Sequence, residues 1–177
     1  MPKIIADLRS RLIAAAKHAL LTDGYTGLSL RSLAKECGVA VGTIYNYFDN
    51  KNTLVANVIL VDWAEALERM DAACACVQDL PEGFAAILNT VKDFAAVYME
   101  VFAQFVQSQE VIGISALRHR MLRGQIADRI NRLLERFPCG HDASFVPILA
   151  ETVIACASQS DVTGEMIAAF AAQVFRL

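Results

Sequence analysis

The stretch GVAVGTIYNYFDNK, residues 38–51, decides how this chain is organised. On a helical wheel at about 100° per residue, Ile44 and Phe48 fall on one side, one turn apart. Gly42 and Asn46 then point away from them, flanked by Thr43 and Tyr45, with Tyr47 nearer the buried edge. Gly, Thr, Tyr and Asn are indifferent helix formers, and so short a helix does not nucleate alone. Helix stability therefore does not explain this outward face.

The flanking sequence supplies the setting. Leu8, Leu12, Ala16 and Ala19/Leu20 recur at helical spacing, and TDGY (22–25) closes that helix, with Gly24 suited to a left-handed conformation. Ser29 is placed to cap a second helix, LRSLAKE, which buries Leu30, Leu33 and Ala34 and ends at Gly38. A third helix is expected over 41–48. Asn50 is the N-cap expected for a fourth, carrying Leu54, Val58 and Val61 past Trp63. Two short helices about a glycine turn are the layout of a helix-turn-helix, whose second helix enters the major groove. Gly42 would let the backbone approach DNA. Thr43, Tyr45 and Tyr47 offer hydroxyls to phosphates, and Asn46 can meet a phosphate or a base edge. Lys51, beside the positive end of a helix dipole, is badly placed for stability and well placed to grip phosphate.

Charge follows the same division. Residues 1–55 carry seven Lys/Arg against four Asp/Glu, and residues 56–177 carry nine against fifteen, within a net charge of −3. A basic head on an acidic body suits a head that meets phosphate.

The run GLSLRSLAKECGVAVGTIYNYFDNKNTL, preceded by TDGY, resembles the TetR family of bacterial repressors over residues from about Asp7 to Trp63. The resemblance lies in a Leu-Ala pair before the turn glycine, then Gly-Thr-aliphatic-Tyr, Tyr-Phe and Asn-Lys. It implies an all-α homodimer: an N-terminal three-helix helix-turn-helix head and a C-terminal helical body for ligand binding and dimerisation. The expected domains are 1–50, with the helix-turn-helix at about 30–48, and 51–177. By position, Arg31, Val41, Gly42 and Tyr45 fall where base contacts are usual. Ser29, Thr43, Asn46, Tyr47 and Lys51 fall where phosphate contacts are usual. Ala40 departs from the common Ser or Thr cap, and Val41 is apolar where many members are polar, which suits a thymine methyl.

Beyond residue 63 the resemblance is architectural only. Asp79 and Pro81 start a long helix. Further helices are expected over 109–137, with a break near Gly113, and over 144–159 and 163–175, with Pro138 and Gly140 as breakers. Trp63, Phe84, Phe94, Tyr98, Met99, Phe102 and Phe105 are candidates to line an apolar ligand cavity, the alternative for each being ordinary core packing. Tyr98, if buried, needs a partner for its hydroxyl. Two stripes suit a dimer interface: Phe145, Ile148/Leu149, Thr152, Val153 and Cys156; and Met166, Ile167, Phe170, Val174 and Phe175. With their symmetry mates they would form a four-helix bundle. Arg118, His119, Arg120 and Arg123 read as a solvated face or an anion contact.

Composition narrows the rest. Mean hydropathy is +0.39, yet no apolar run reaches the roughly 18 residues a membrane span requires. The richest stretch, 84–106, is interrupted by Asn89, Lys92, Asp93, Glu100 and Gln104. The excess apolarity is expected to serve a deep core and a subunit interface. The N-terminus lacks a signal-peptide h-region, and five cysteines form no disulfide framework, so a cytoplasmic location is expected. Cys74 and Cys76, Cys139 and His141, and His119 lack metal-ligand spacing, so no metal and no cofactor is expected; Cys74 and Cys156 suit a core. No catalytic constellation appears, and Glu65 and Glu68 look solvated, so no enzyme is expected. The expected function is a ligand-responsive repressor that binds a pseudo-palindromic double-stranded operator as a homodimer and is released by a small, apolar effector. The competing readings are an enzyme and a non-sensing protein that binds DNA constitutively or serves as an interaction partner.

Overall fold

In the computed structural model, residues 7–106, 112–137, 139 and 143–175 are described, and no strand occurs among them. Eight α-helices follow in order: α1 (Leu8–Gly27), α2 (Leu30–Cys37), α3 (Val41–Tyr45), α4 (Lys51–Cys76), α5 (Leu80–Val106), α6 (Ile112–Arg136), α7 (Val146–Cys156) and α8 (Gly164–Phe175). A 3₁₀ turn, Ala143–Phe145, precedes α7. The chain divides into two compact units, Met1–Ala64 with Val97–Gln109, and Glu65–Ala96 with Glu110–Leu177.

In the first unit the apolar stripe of α1 buries Leu8, Leu12, Ile13, Ala16 and Leu20. Leu33 and Ala34 of α2, Ile44 of α3, Phe48, and Leu54, Val55 and Val58 of α4 complete this core, each at most 2% exposed. Because α4 contributes those side chains, the unit extends to Ala64, past the boundary at residue 50 expected from sequence. Val61 faces outward at 39% exposure, off the expected stripe.

Two local expectations need correction. Gly24 has the positive φ expected of it, 70°, but its ψ of 178° makes a kink rather than an end, and helix resumes to Gly27. The third helix is shorter than 41–48. The N–H groups of Tyr47 and Phe48 both donate to the Ile44 carbonyl at 2.9 Å, so the helix tightens and closes as Phe48 turns into the core.

One buried charge organises this unit. Asp62, 8% exposed, accepts from the Lys17 ammonium at 2.8 Å and from the Tyr98 hydroxyl at 2.5 Å. A buried carboxylate is tolerated only when paired and hydrogen-bonded, and here α1 and α5 each supply one partner to α4.

In the second unit Phe84, Ile87, Leu88, Ile126, Ile130, Leu149, Ala150, Val153, Ala171 and Phe175 are buried. The Phe84 and Phe175 rings stack with centroids 5.8 Å apart. Asp79 accepts from the Glu82 N–H while Glu82 accepts from the Gln78 N–H, both at 2.8 Å, which caps α5 as the Asp79-Pro81 signal predicted. Arg136 donates to the carbonyls of Cys74, Ala75 and Val77 at 2.9–3.1 Å, satisfying the end of α4. Lys92 donates to the carbonyls of Gln159 and Val162 between α7 and α8. Helix α6 is continuous from Ile112, so no break interrupts it at Gly113.

Candidate nucleic-acid interface

The turn between α2 and α3 is fixed from both sides. Gly38 has φ 67°, ψ 34°, a left-handed conformation that costs glycine little, and the N–H of Val39 returns to the Ala34 carbonyl at 2.9 Å. Arg11 of α1 donates to the Cys37 carbonyl at 3.1 Å, tying the end of α2 to α1. At the other end, the Ser29 hydroxyl accepts from the Ser32 N–H at 3.5 Å, a long cap. No side chain caps α3 at Ala40.

On this frame α3 presents the face expected from the wheel. Ile44 and Phe48 are buried, at 0% and 2% exposure, whereas Gly42 and Asn46 are exposed and Tyr45 is 52% exposed. Val41 and Thr43 are half-buried at its edge. A Cβ built on Gly42 meets nothing within 4 Å, and its φ is not positive, so neither the unit's own packing nor its backbone demands glycine there. Ser29 and Arg31 of α2 are exposed.

Tyr47 is the exception. Its side chain is half-buried, and its hydroxyl is closed off from solvent with no hydrogen-bond partner among the described residues. The phosphate contact expected of it is unavailable in this conformation, because the same turn that buries Phe48 draws Tyr47 inward.

Lys51 opens α4 next to Asn50, whose Oδ1 accepts from the Thr53 N–H at 2.8 Å, the expected cap. The Lys51 ammonium lies 4.4 Å from the centroid of the Tyr25 ring. Burial pushes its pKa below the ordinary lysine value. The Tyr25 hydroxyl donates to Asn52 Oδ1. Arg9 lies 5.6 Å over the Phe48 ring and donates to Asn57 Oδ1. Tyr25 and Arg9 had no part in the sequence-based site. The TDGY motif marked Tyr25, but only the fold brings it to Lys51.

Trp63 and Tyr98 are buried in the first unit, and Phe84 and Phe94 in the second. Tyr98 spends its hydroxyl on Asp62, and Phe84 stacks on Phe175; both are packed as core. Met99 is 48% exposed. The side chains of Phe102 and Phe105 lie outside the described residues.

The candidate interface residues also divide. Leu149, Val153 and Ile167 are at most 3% exposed and pack in the protomer's own core, rather than lying open for the dimer interface expected of them. Phe145, Ile148, Met166 and Phe170 are 42–59% exposed, and Thr152, Cys156 and Val174 are half-buried. His119, with Arg123, pairs with Glu151 of α7 and is thereby engaged. Among the described residues no group of three or more His, Cys, Asp or Glu side chains is arranged to hold a metal. His141 lies outside them, as does the side chain of Arg118. Burial pushes the thiols of Cys37, Cys74 and Cys139 above the usual range.

Residues 12–58 match the family model described as bacterial regulatory proteins, tetR family. Over 125 residues the chain is 23% identical to the HTH-type transcriptional regulator UidR of Escherichia coli K12, covering 69% of this chain and 64% of that protein. Over 127 residues it is 25% identical to the fatty acid metabolism regulator protein of Bacillus subtilis, covering 72% and 60%. The chain thus spans under two thirds of the length of these relatives. In fold it is similar to Salmonella enterica GusR, with a TM-score of 0.66, 18% identity and coverage of 99% and 100%.

Proposed function

We propose, from the premise that this chain belongs to the TetR family of bacterial regulatory proteins, that it is a ligand-responsive DNA-binding repressor. The observation that carries the reading is the α3 face: Gly42, Tyr45 and Asn46 are open above buried Ile44 and Phe48, with no internal demand for glycine. In this reading Arg31, Val41, Gly42 and Tyr45 meet base edges. Ser29, Thr43, Asn46 and Lys51 hold phosphates, and Tyr47 joins them only after its side chain turns outward.

The protein acts as a homodimer on a pseudo-palindrome, one α3 per half-site, with half-site centres about 34–36 Å apart or a multiple of that. The exposed apolar groups Phe145, Ile148, Met166 and Phe170 support a self-complementary contact through the last two helices. A small, apolar effector in the helical body shifts the population toward a head spacing that no longer fits the groove. A hundredfold release needs about 2.7 kcal/mol of differential effector binding. No described helix is long and apolar enough to cross a membrane. A cytoplasmic, non-enzymatic role follows from this reading and from the family.

Selection of bound sequences from random duplex DNA tests it, followed by a screen of small apolar molecules for release. Enrichment of a two-fold symmetric site supports the reading. No enrichment sinks it, and a selected site that no molecule releases replaces the sensor with a DNA binder lacking an effector.

A further inference from the structure

Lys51 begins α4, where the unpaired N–H groups and the dipole of a helix start disfavour an ammonium. Among the described residues no carboxylate pairs with it. What faces its charge is a ring: Nζ stands 4.4 Å from the Tyr25 centroid, within the range at which a cation is drawn to an aromatic face. The ring is held in turn. Tyr25 follows the kink at Gly24, and its hydroxyl donates to Asn52, the residue after Lys51. One aromatic side chain thus touches two consecutive residues of the first turn of α4, by its face and by its edge.

We propose that Tyr25 is a positioning residue for duplex binding, its ring holding the Lys51 ammonium in one orientation toward a phosphate. A free lysine side chain loses substantial rotamer entropy when it grips a phosphate. Pre-ordering on the ring removes part of that cost before the duplex arrives. The inference rests on the DNA-binding reading of α3 and Lys51 given above, and adds that Lys51 acts only when Tyr25 supports it.

The test is a double-mutant cycle on a random-sequence duplex, read by fluorescence anisotropy over a salt series. Tyr25→Leu should weaken binding about two- to fivefold, the range of one cation–aromatic contact. It should also lower the salt slope toward that of Lys51→Ala, which loses about one unit. The double variant should bind no more weakly than Lys51→Ala alone. Tyr25→Phe, which keeps the ring face, should recover most of the Tyr25→Leu loss. If the two single losses multiply in the double variant, Tyr25 acts independently of Lys51 and the proposal falls. A wild-type protein that binds no duplex at low salt overturns the DNA-binding reading itself, a distinct result. Should Tyr25→Leu fail to fold, proton NMR of the unbound protein decides. Upfield-shifted Lys51 ε-methylene protons in the wild type, relaxing in Asn52→Ala, support the pairing; ordinary shifts in the wild type overturn it.

Discussion

Gly42 in the first unit and Gly83 in the second are both helical glycines, and they answer opposite demands. A Cβ on Gly83 would lie 2.7 Å from the Leu133 Cδ1 atom, so a neighbouring side chain fills the space that glycine leaves. A Cβ on Gly42 would meet nothing. The body spends a glycine on its own packing, whereas the head spends one where its own structure gains nothing. Interior glycine costs a helix about 0.8–1.0 kcal/mol relative to alanine. At Gly83 closer packing offsets such a cost; at Gly42 nothing in the unit does, which is the gap the proposed approach of DNA would fill.

Substitutions put the two glycines and their surroundings to the test. The largest effect is expected from Ile44→Ala. It empties a fully buried site beneath the α3 face and should cost about 2–5 kcal/mol, read as a fall in the denaturation midpoint with loss of duplex binding. An unchanged midpoint would mean that α3 is not anchored by its buried side. Gly83→Val should follow, at about 1–3 kcal/mol from overpacking against Leu133, with duplex affinity of the folded protein retained. Lost affinity at full stability would remove the distinction between the two glycines.

Arg31→Ala should leave stability within about 0.5 kcal/mol, since the side chain is exposed. It should cost about 1–3 kcal/mol of binding at one position of the selected site. A uniform loss across all site variants would make Arg31 a backbone contact. Gly42→Ala should stabilise the unbound protein by up to about 1 kcal/mol while weakening duplex binding. A variant both more stable and equally tight would show that no backbone approaches DNA at that point. The smallest effect is expected from Tyr47→Phe, which deletes a buried hydroxyl that has no partner among the described residues. Its thermal midpoint should hold or rise slightly, because removing an unsatisfied group can be neutral or stabilising. A clear fall would reveal a hydrogen bond to that hydroxyl in solution.

The sequence was most legible where the determinants are local. Gly38 at positive φ, the caps at Ser29, Asn50 and Asp79, and the inward pair Ile44 and Phe48 all depend on residues within about one helical turn, and each lies where periodicity and capping chemistry put it. The wheel set Tyr47 near the buried edge, where it lies, but not the enclosure of its hydroxyl, because the end of α3 is set by two N–H groups sharing the Ile44 carbonyl. Leu149, Val153 and Ile167 were misread because helices rich in Ala, Val and Ile are apolar on several sides. Which side meets the protomer's own core then depends on neighbours distant in sequence.

Local order along the chain was enough to make it helical and to choose which side of α3 faces outward. Those outcomes follow from backbone hydrogen bonds and apolar spacing over a few residues. Only the tertiary structure decided that Asp62 is held by Lys17 and Tyr98, that Tyr25 carries Lys51, and that Phe84 stacks on Phe175. Those pairs are 26 to 91 positions apart, and no local pattern encodes them. They form because a buried charge, an ammonium at a helix start and a flat ring each take the complementary group that the packed helices bring within reach.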